Sequence, residues 1–266
     1  MHYLDEGSGH PVLLLHGNPT WSYLYRRFVR PLASTHRVIA PDHLGFGRSD
    51  KPAGADYCLG WHVDNLTAFV ERLDLRDLTL VVHDWGGPIG LGFAVEQPER
   101  IRRLVLFNTW AFRLPAGTRL HPLLEAIRQP GLGEKLVLEQ NALVERGLPG
   151  GMCRPASPRL LAAYRAPFPD ADSRRAMLAM VRDIPLGSQG ETAARMGRIE
   201  RGLGRLSAQV LVVWGGRDPV FPPSLVDLWR LHFPHARVEL LPRASHFVQE
   251  DEPRRVVALV RRFLQG

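Results

Sequence analysis

Apolar residues gather along the chain in short unbroken runs, most of them closed by glycine, aspartate or asparagine. Val12–Leu15, Val38–Ala40, Leu78–Val82, Leu104–Phe107 and Val210–Trp214 are such runs, while Arg237–Leu241 alternates more. A run without polar alternation predicts a strand buried on both faces, as in a parallel sheet. Between the runs lie stretches with helical spacing: Trp21–Leu32, Trp61–Leu73, Gly87–Gln97, Pro222–Phe233 and Glu252–Leu264. In the last of these, Val256, Val257, Val260 and Leu264 share one helical face. Strands alternating with helices predict an α/β chain with a mostly parallel central sheet flanked by helices.

The alternation stops between residues 111 and 186. Leu120–Arg128, Glu134–Glu145, Pro158–Tyr164 and Arg174–Arg182 read as helices separated by proline and glycine, with no strand pattern among them. The expected division is a main domain of residues 1–110 and 187–266 and a helical insertion of residues 111–186. In an open parallel sheet, ligands sit at the carboxyl ends of the strands. An insertion that leaves after one strand and returns before the next is therefore expected to cover the site as a cap.

Composition narrows the function classes. The chain has 266 residues, 45% of them apolar and 23% charged, which suits an ordinary folded core. Its net charge of +7 raises the question of nucleic acid. The basic residues are nearly all arginine, however, and alternate with acids, as in Arg72, Asp74, Arg76 and Asp77. No basic stripe interleaved with aromatics is visible, so no nucleic-acid partner is expected. Cys58 and Cys153 have no metal-like spacing, and neither a disulfide framework nor a metal or cofactor site is expected. The opening MHYLDEGSGH lacks the pattern of an export signal. No apolar run approaches the ~18 residues of a membrane span. The expected location is the cytoplasm, with no membrane partner.

The candidate chemistry begins in VVHDWGG, residues 81–87, where a strand runs into Asp84 and a helix starts near Gly86. In isolation Asp84 would read as a helix cap. Three other stretches change that reading. Leu14–Pro19 carries a strand into His16-Gly17-Asn18, which brings a backbone N–H beside a nucleophile, while His16 itself reads as structural. Asp218 follows the run Val210–Trp214 and is placed to orient a histidine. His246 follows Arg237–Leu241 and precedes the last helix, where a base would reach Asp84. The other position for the acid, after Leu104–Phe107, holds Asn108, which cannot ionise. A carboxylate nucleophile suits displacement at an sp3 carbon; on an ester or amide it would give a reactive anhydride.

The stretches HGNPTWSYLYR (16–26), PDHLGFGRSDKP (41–52), VVHDWGG (81–87), AYRAPFPD (163–170) and ASHFVQEDEP (244–253) resemble haloalkane dehalogenases of the α/β-hydrolase superfamily, and the resemblance spans nearly the whole chain. It implies the α/β-hydrolase fold with a helical cap, and hydrolysis of a small halogenated alkane by water to an alcohol and halide. Asp84 would form the alkyl ester and His246, oriented by Asp218, would activate the water that hydrolyses it. The side-chain N–H groups of Asn18 and Trp85 would hold the halide, and their backbone N–H groups the oxyanion. Trp110, Phe112, Phe168 and Met177 are candidate pocket walls. The resemblance also implies one more strand before His2–Gly7, so an N-terminal edge strand is expected to be missing. Two alternatives stand beside this reading: an epoxide hydrolase, which shares the nucleophile but needs lid tyrosines where the insertion has only Tyr164, and a non-catalytic hydrolase-fold binding protein. A fluoroacetate-type dehalogenase would need an arginine where Trp85 stands.

Overall fold

The computed structural model describes residues 1–115 and 117–266. Its strands are β1 (Tyr3–Glu6), β2 (Pro11–Leu15), β3 (Arg37–Pro41), β4 (Leu78–His83), β5 (Ile101–Phe107), β6 (Gln209–Gly215) and β7 (Arg237–Leu241). They form one sheet in the order β1-β3-β2-β4-β5-β6-β7. Only β1 is antiparallel to its neighbour; it pairs with β3 at the sheet edge. The apolar runs fill the middle strands because helices cover both faces there: all six residues of β4 are buried. β7, at the other edge, has only Leu241 fully buried, which explains its polar alternation.

The helices Arg26–Ala33, Leu59–Arg72, Gly86–Glu96, Leu225–His232 and Pro253–Gln265 lie where the apolar spacing predicts them. A further helix, Glu191–Leu203, was not predicted. Its sequence ETAARMGRIERGL has few large apolar residues, with Ala193, Met196, Ile199 and Leu203 as the buried apolar stripe. That stripe packs on the helices Leu59–Arg72 and Gly86–Glu96, so tertiary contact sustains a helix of weak local signal.

Residues 111–186 contribute the helices Pro122–Arg128, Pro158–Arg165 and Arg175–Arg182, with no strand among the described residues. The expected single helix Glu134–Glu145 is interrupted instead. It divides into wide π-type turns over Lys135–Glu139 and Leu143–Gly147, separated at Asn141, whose φ is +50°. This helical stretch is tied to the sheet domain near the last helix. The Tyr164 hydroxyl donates to Glu250 over 2.6 Å, and Glu250 accepts a bidentate pair from Arg26. Among the described residues no helix is long and apolar enough to cross a membrane.

The parallel register brings the carboxyl ends of the strands to one edge. Leu15 pairs with Val82, His83 with Phe107, and Phe107 with Val213. The residues just past those ends are therefore neighbours in space: Asn18 after β2, Asp84 after β4, Asn108 after β5 and Asp218 after β6.

Candidate active site

Asp84 stands at the tip of the turn from β4 into the helix Gly86–Glu96. Its φ is +50°, a left-handed conformation that costs energy for a non-glycine residue and is held by its surroundings. Its N–H donates to the Asn108 carbonyl over 3.1 Å, and its own carbonyl accepts from the Gly87 N–H and the Thr109 hydroxyl. Gly86 and Gly87 are needed by space. A Cβ at Gly86 would stand 2.3 Å from the Leu15 carbonyl oxygen, and one at Gly87 1.8 Å from the Thr109 hydroxyl. The helix thus starts in direct contact with β2 and with the loop after β5, which fixes where the carboxylate points.

The two carboxylate oxygens have different surroundings. Oδ1 accepts the Asn18 backbone N–H at 2.7 Å, and the Trp85 backbone N–H favours the ionised form of the carboxylate. Oδ2 lies 3.8 Å from His246 Nε2. Burial is the largest influence on Asp84 and pushes its pKa above the usual carboxylate range; His246 and the two backbone N–H groups pull the other way.

His246 Nδ1 is 2.8 Å from Asp218 Oδ2. Because the carboxylate accepts, Nδ1 carries the proton and the neutral ring presents a bare Nε2 toward Asp84. Burial lowers the His246 pKa, but the charge and hydrogen bond of Asp218 and the charge of Asp84 raise it, and the balance lies above 6.5. Asp218 is buried with every oxygen engaged. Its Oδ1 accepts the Val220 and Phe221 N–H groups, and its Oδ2 accepts the Asn108 side-chain amide as well as His246. The structure thus brings Asp84, Asp218 and His246 together in a buried chain of contacts.

Asn18 and Trp85 meet Asp84 at a cavity of about 340 Å³, with walls that include Trp110, Leu124, Val181 and Phe221. The Asn18 amide nitrogen donates one hydrogen to the Met177 carbonyl at 3.0 Å, which fixes the amide orientation. Its second hydrogen is left for a ligand, since a primary amide has two. Trp85 packs edge-on against Trp110, with ring centroids 5.0 Å apart. The Trp110 indole nitrogen is buried with no partner among the described residues. Of the candidate walls, Trp110 lines the cavity and Met177 contributes its carbonyl. Phe112 packs instead on Trp229, and Phe168 on Phe46. His16 is fully buried, with Nδ1 against the Gly17 carbonyl and Nε2 accepting the His43 N–H. Burial pushes its pKa down to about 4, so it is a neutral brace of the loop before Asn18. Among the described residues no three His, Cys, Asp or Glu side chains are grouped to hold a metal ion.

Sequence reasoning missed the part played by Asn108, which it treated only as a position lacking an acid. Its side chain joins β5 to β6 by accepting the Gly215 N–H at 2.8 Å and donating to Asp218 at 2.7 Å, while its carbonyl holds the turn at Asp84. With φ at +24° it occupies backbone space that asparagine tolerates better than most residues. The signal available was an asparagine ending a buried strand, where a polar side chain needs partners. Asn108→Ala is expected to destabilise the protein by about 1–3 kcal/mol by leaving the Gly215 N–H unsatisfied. It also removes a donor from the Asp218 oxygen that His246 uses. The His246 pKa should rise, and the alkaline-active limb of a pH–rate profile should move to higher pH. An unmoved profile would make Asn108 merely structural.

Comparison with known proteins agrees with this fold. The profile of the α/β-hydrolase fold family matches residues 10–253. A cis-3-alkyl-4-alkyloxetan-2-one decarboxylase of Shewanella oneidensis is 40% identical over 99% of this chain and 85% of its own length. Haloalkane dehalogenase 2 of Mycobacterium tuberculosis is 38% identical over 98% of this chain and 90% of its own. The crystal structure of the haloalkane dehalogenase DatA from Agrobacterium tumefaciens C58 superposes with a TM-score of 0.91 at 31% identity, covering 99% of this chain and 92% of that one. Fold, profile match and near-full-length identity together make this chain a member of the α/β-hydrolase family, in its haloalkane dehalogenase-like branch.

Proposed function

We propose that the protein hydrolyses haloalkanes to alcohol and halide through a covalent ester on Asp84. The observation that carries this reading is the unequal setting of the Asp84 oxygens at the cavity, Oδ1 held by the Asn18 backbone N–H and Oδ2 beside His246. Oδ2 attacks the halogen-bearing carbon; the C–O bond forms as the carbon–halogen bond breaks and the halide leaves with its electron pair. The Trp85 indole N–H and the remaining Asn18 amide hydrogen take the halide. They are neutral donors, which hold an anion without trapping it. His246 then removes a proton from water, which attacks the ester carbonyl carbon. The negative charge that develops on Oδ1 meets the Asn18 N–H already aimed at it, with the Trp85 N–H as the second donor of the oxyanion. The tetrahedral intermediate collapses by breaking the Cγ–Oδ2 bond; Asp218 stabilises the imidazolium until its proton passes to the departing alcohol oxygen, and the water oxygen remains on Asp84 as its restored carboxylate. The helical stretch 111–186 acts as a cap that keeps the cavity apolar, and the free thiols Cys58 and Cys153 fit action in the cytoplasm.

A second reading is favoured by the oxetanone decarboxylase relative. The same Oδ2 could open a four-membered lactone at the ring carbon that bears oxygen, expelling a carboxylate. Breaking that carboxylate's C–C bond would then give an alkene and CO2 and return Asp84 as a free carboxylate, without water. The epoxide reading lacks its acid. Tyr164 is buried on Glu250, and no tyrosine lines the cavity among the described residues. Asn18, Asp84 and Trp85 at the cavity, with His246 behind Asp84 and held by Asp218, speak against a non-catalytic binding protein.

The purified protein is expected to release halide from bromo- and iodoalkanes, with little diol from an epoxide. Alkene and CO2 from a cis-dialkyl oxetanone, without halide release from haloalkanes, would replace the first reading with the second. Diol alone would return the case to an epoxide hydrolase.

A further inference from the structure

The arginines that alternate with acids along the sequence do not stay scattered in the fold. A surface groove of about 950 Å³ is lined by Arg26, Arg27 and Arg30 of the helix Arg26–Ala33, Arg154, and Arg254, Arg255 and Arg261 of the helix Pro253–Gln265. Glu252 is the one acid in its lining. For a chain whose net charge is +7, most of the excess is gathered in this groove.

Few of these charges are neutralised. Arg26 is committed to Glu250, and Arg255 lies 3.2 Å from Glu252. Among the described residues, Arg27, Arg30, Arg154, Arg254 and Arg261 have no carboxylate within 4.0 Å, and all five are exposed. Unpaired cations in a concave surface reinforce one another's potential and draw anions in. The groove shares no lining residue with the cavity at Asp84, so its occupant is not the substrate.

The layout restricts the occupant. Arg254 and Arg261 are seven positions apart on one helix, about 10 Å along its axis. Two helices and the loop at Arg154 all contribute arginines along the groove, which suits an extended polyanion better than a single phosphate. The floor between them is aliphatic, with Pro31, Pro253, Val257 and Ala258, and the lining has no aromatic side chain on which bases could stack. Guanidinium groups pair with carboxylates in a bidentate fork. We propose that this groove docks an extended, glutamate- or aspartate-rich segment of a partner protein.

The test titrates the full-length protein into a fluorescein-labelled oligoglutamate and follows anisotropy at low and physiological salt. Two fourfold charge-reversal variants are compared. One is Arg27→Glu, Arg30→Glu, Arg254→Glu and Arg261→Glu in the groove. The other is Arg76→Glu, Arg102→Glu, Arg198→Glu and Arg230→Glu, all exposed elsewhere and outside the groove. Circular dichroism confirms that each variant folds. Saturable, salt-weakened binding is expected for the wild type, with a loss of about tenfold or more in the groove variant and little change in the other. No binding by the wild type, equal loss in both variants, or no loss in the groove variant would overturn the proposal. Tighter binding of an oligonucleotide of equal charge, or of vesicles rich in anionic lipid, would overturn the choice of an acidic peptide. Halide-release assays are separate from this readout, so the docking site and the proposed chemistry stand or fall independently.

Discussion

Asp84→Asn is expected to abolish turnover, by on the order of 10⁴-fold or more, in a protein that stays folded. The amide has the size of the carboxylate and its Oδ1 can still accept the Asn18 N–H, but its nitrogen is no nucleophile toward an sp3 carbon. Asparagine also tolerates the φ of +50° that the turn imposes better than alanine would, so the elbow survives the exchange. Stability should move in the opposite direction to activity. Burial raises the Asp84 pKa, which means that the fold disfavours the ionised form. A carboxyl with a raised folded pKa costs stability above that pKa, and the cost disappears as pH falls below the unfolded value. The neutral amide therefore should melt higher than the wild type at alkaline pH, where His246 is uncharged and loses nothing by the exchange. The difference should vanish in acid. Thermal melts at the two extremes, beside a halide assay, check both halves. A lower alkaline melting point for the variant would mean that Asp84 stabilises the fold, against the view of a site held ready at a cost in stability.

The fold could be read from the sequence where burial is uniform. β2, β4, β5 and β6 lie between two helical layers, so their runs carry no charged residue and a single hydroxyl, Thr79, to blur the pattern, and the elbow residues follow at their ends. The helix Glu191–Leu203 could not be read in that way. It buries one narrow stripe and exposes the rest, and two of its stripe-side positions are glycines, Gly197 and Gly202. The breaks within 132–150 were hidden for a different reason, since a π-type turn keeps the same kinds of residue as a helix and differs only in hydrogen bonding. At the site, Asp84, Asp218 and His246 could be proposed from motifs and chain order, and Asn18 and Trp85 only from the family resemblance. Asn108 could not, because its part depends on three partners from three elements: Asp84, Gly215 and Asp218. The arginine groove was hidden likewise, since its helices lie some 220 residues apart in the chain and only packing brings them together.

His246→Ala should separate the two halves of the proposed reaction. Displacement by Asp84 does not use the imidazole, so one equivalent of halide should be released, after which turnover stops and the alkyl group stays on Asp84. The variant should fold, because Asp218 keeps its three other donors, Asn108, Val220 and Phe221. Intact-mass and peptide analysis would find one alkyl group on the peptide that carries Asp84; multiple turnovers with an unmodified Asp84 would remove His246 from the mechanism. The lactone reading predicts otherwise, since it needs no water and so should lose little when the imidazole is gone. The pH dependence gives an independent check on the same residue. In the free protein both Asp218 and Asp84 hold the His246 pKa up. Alkylation removes the Asp84 charge and leaves Asp218, so the His246 pKa should fall on formation of the ester, and the ring becomes the neutral base at the step that needs one. Hydrolysis of the preformed ester in a single turnover should therefore rise with pH through an inflection below the His246 titration seen by NMR in the free protein. An inflection at or above that titration would show that the Asp84 charge has no hold on the base.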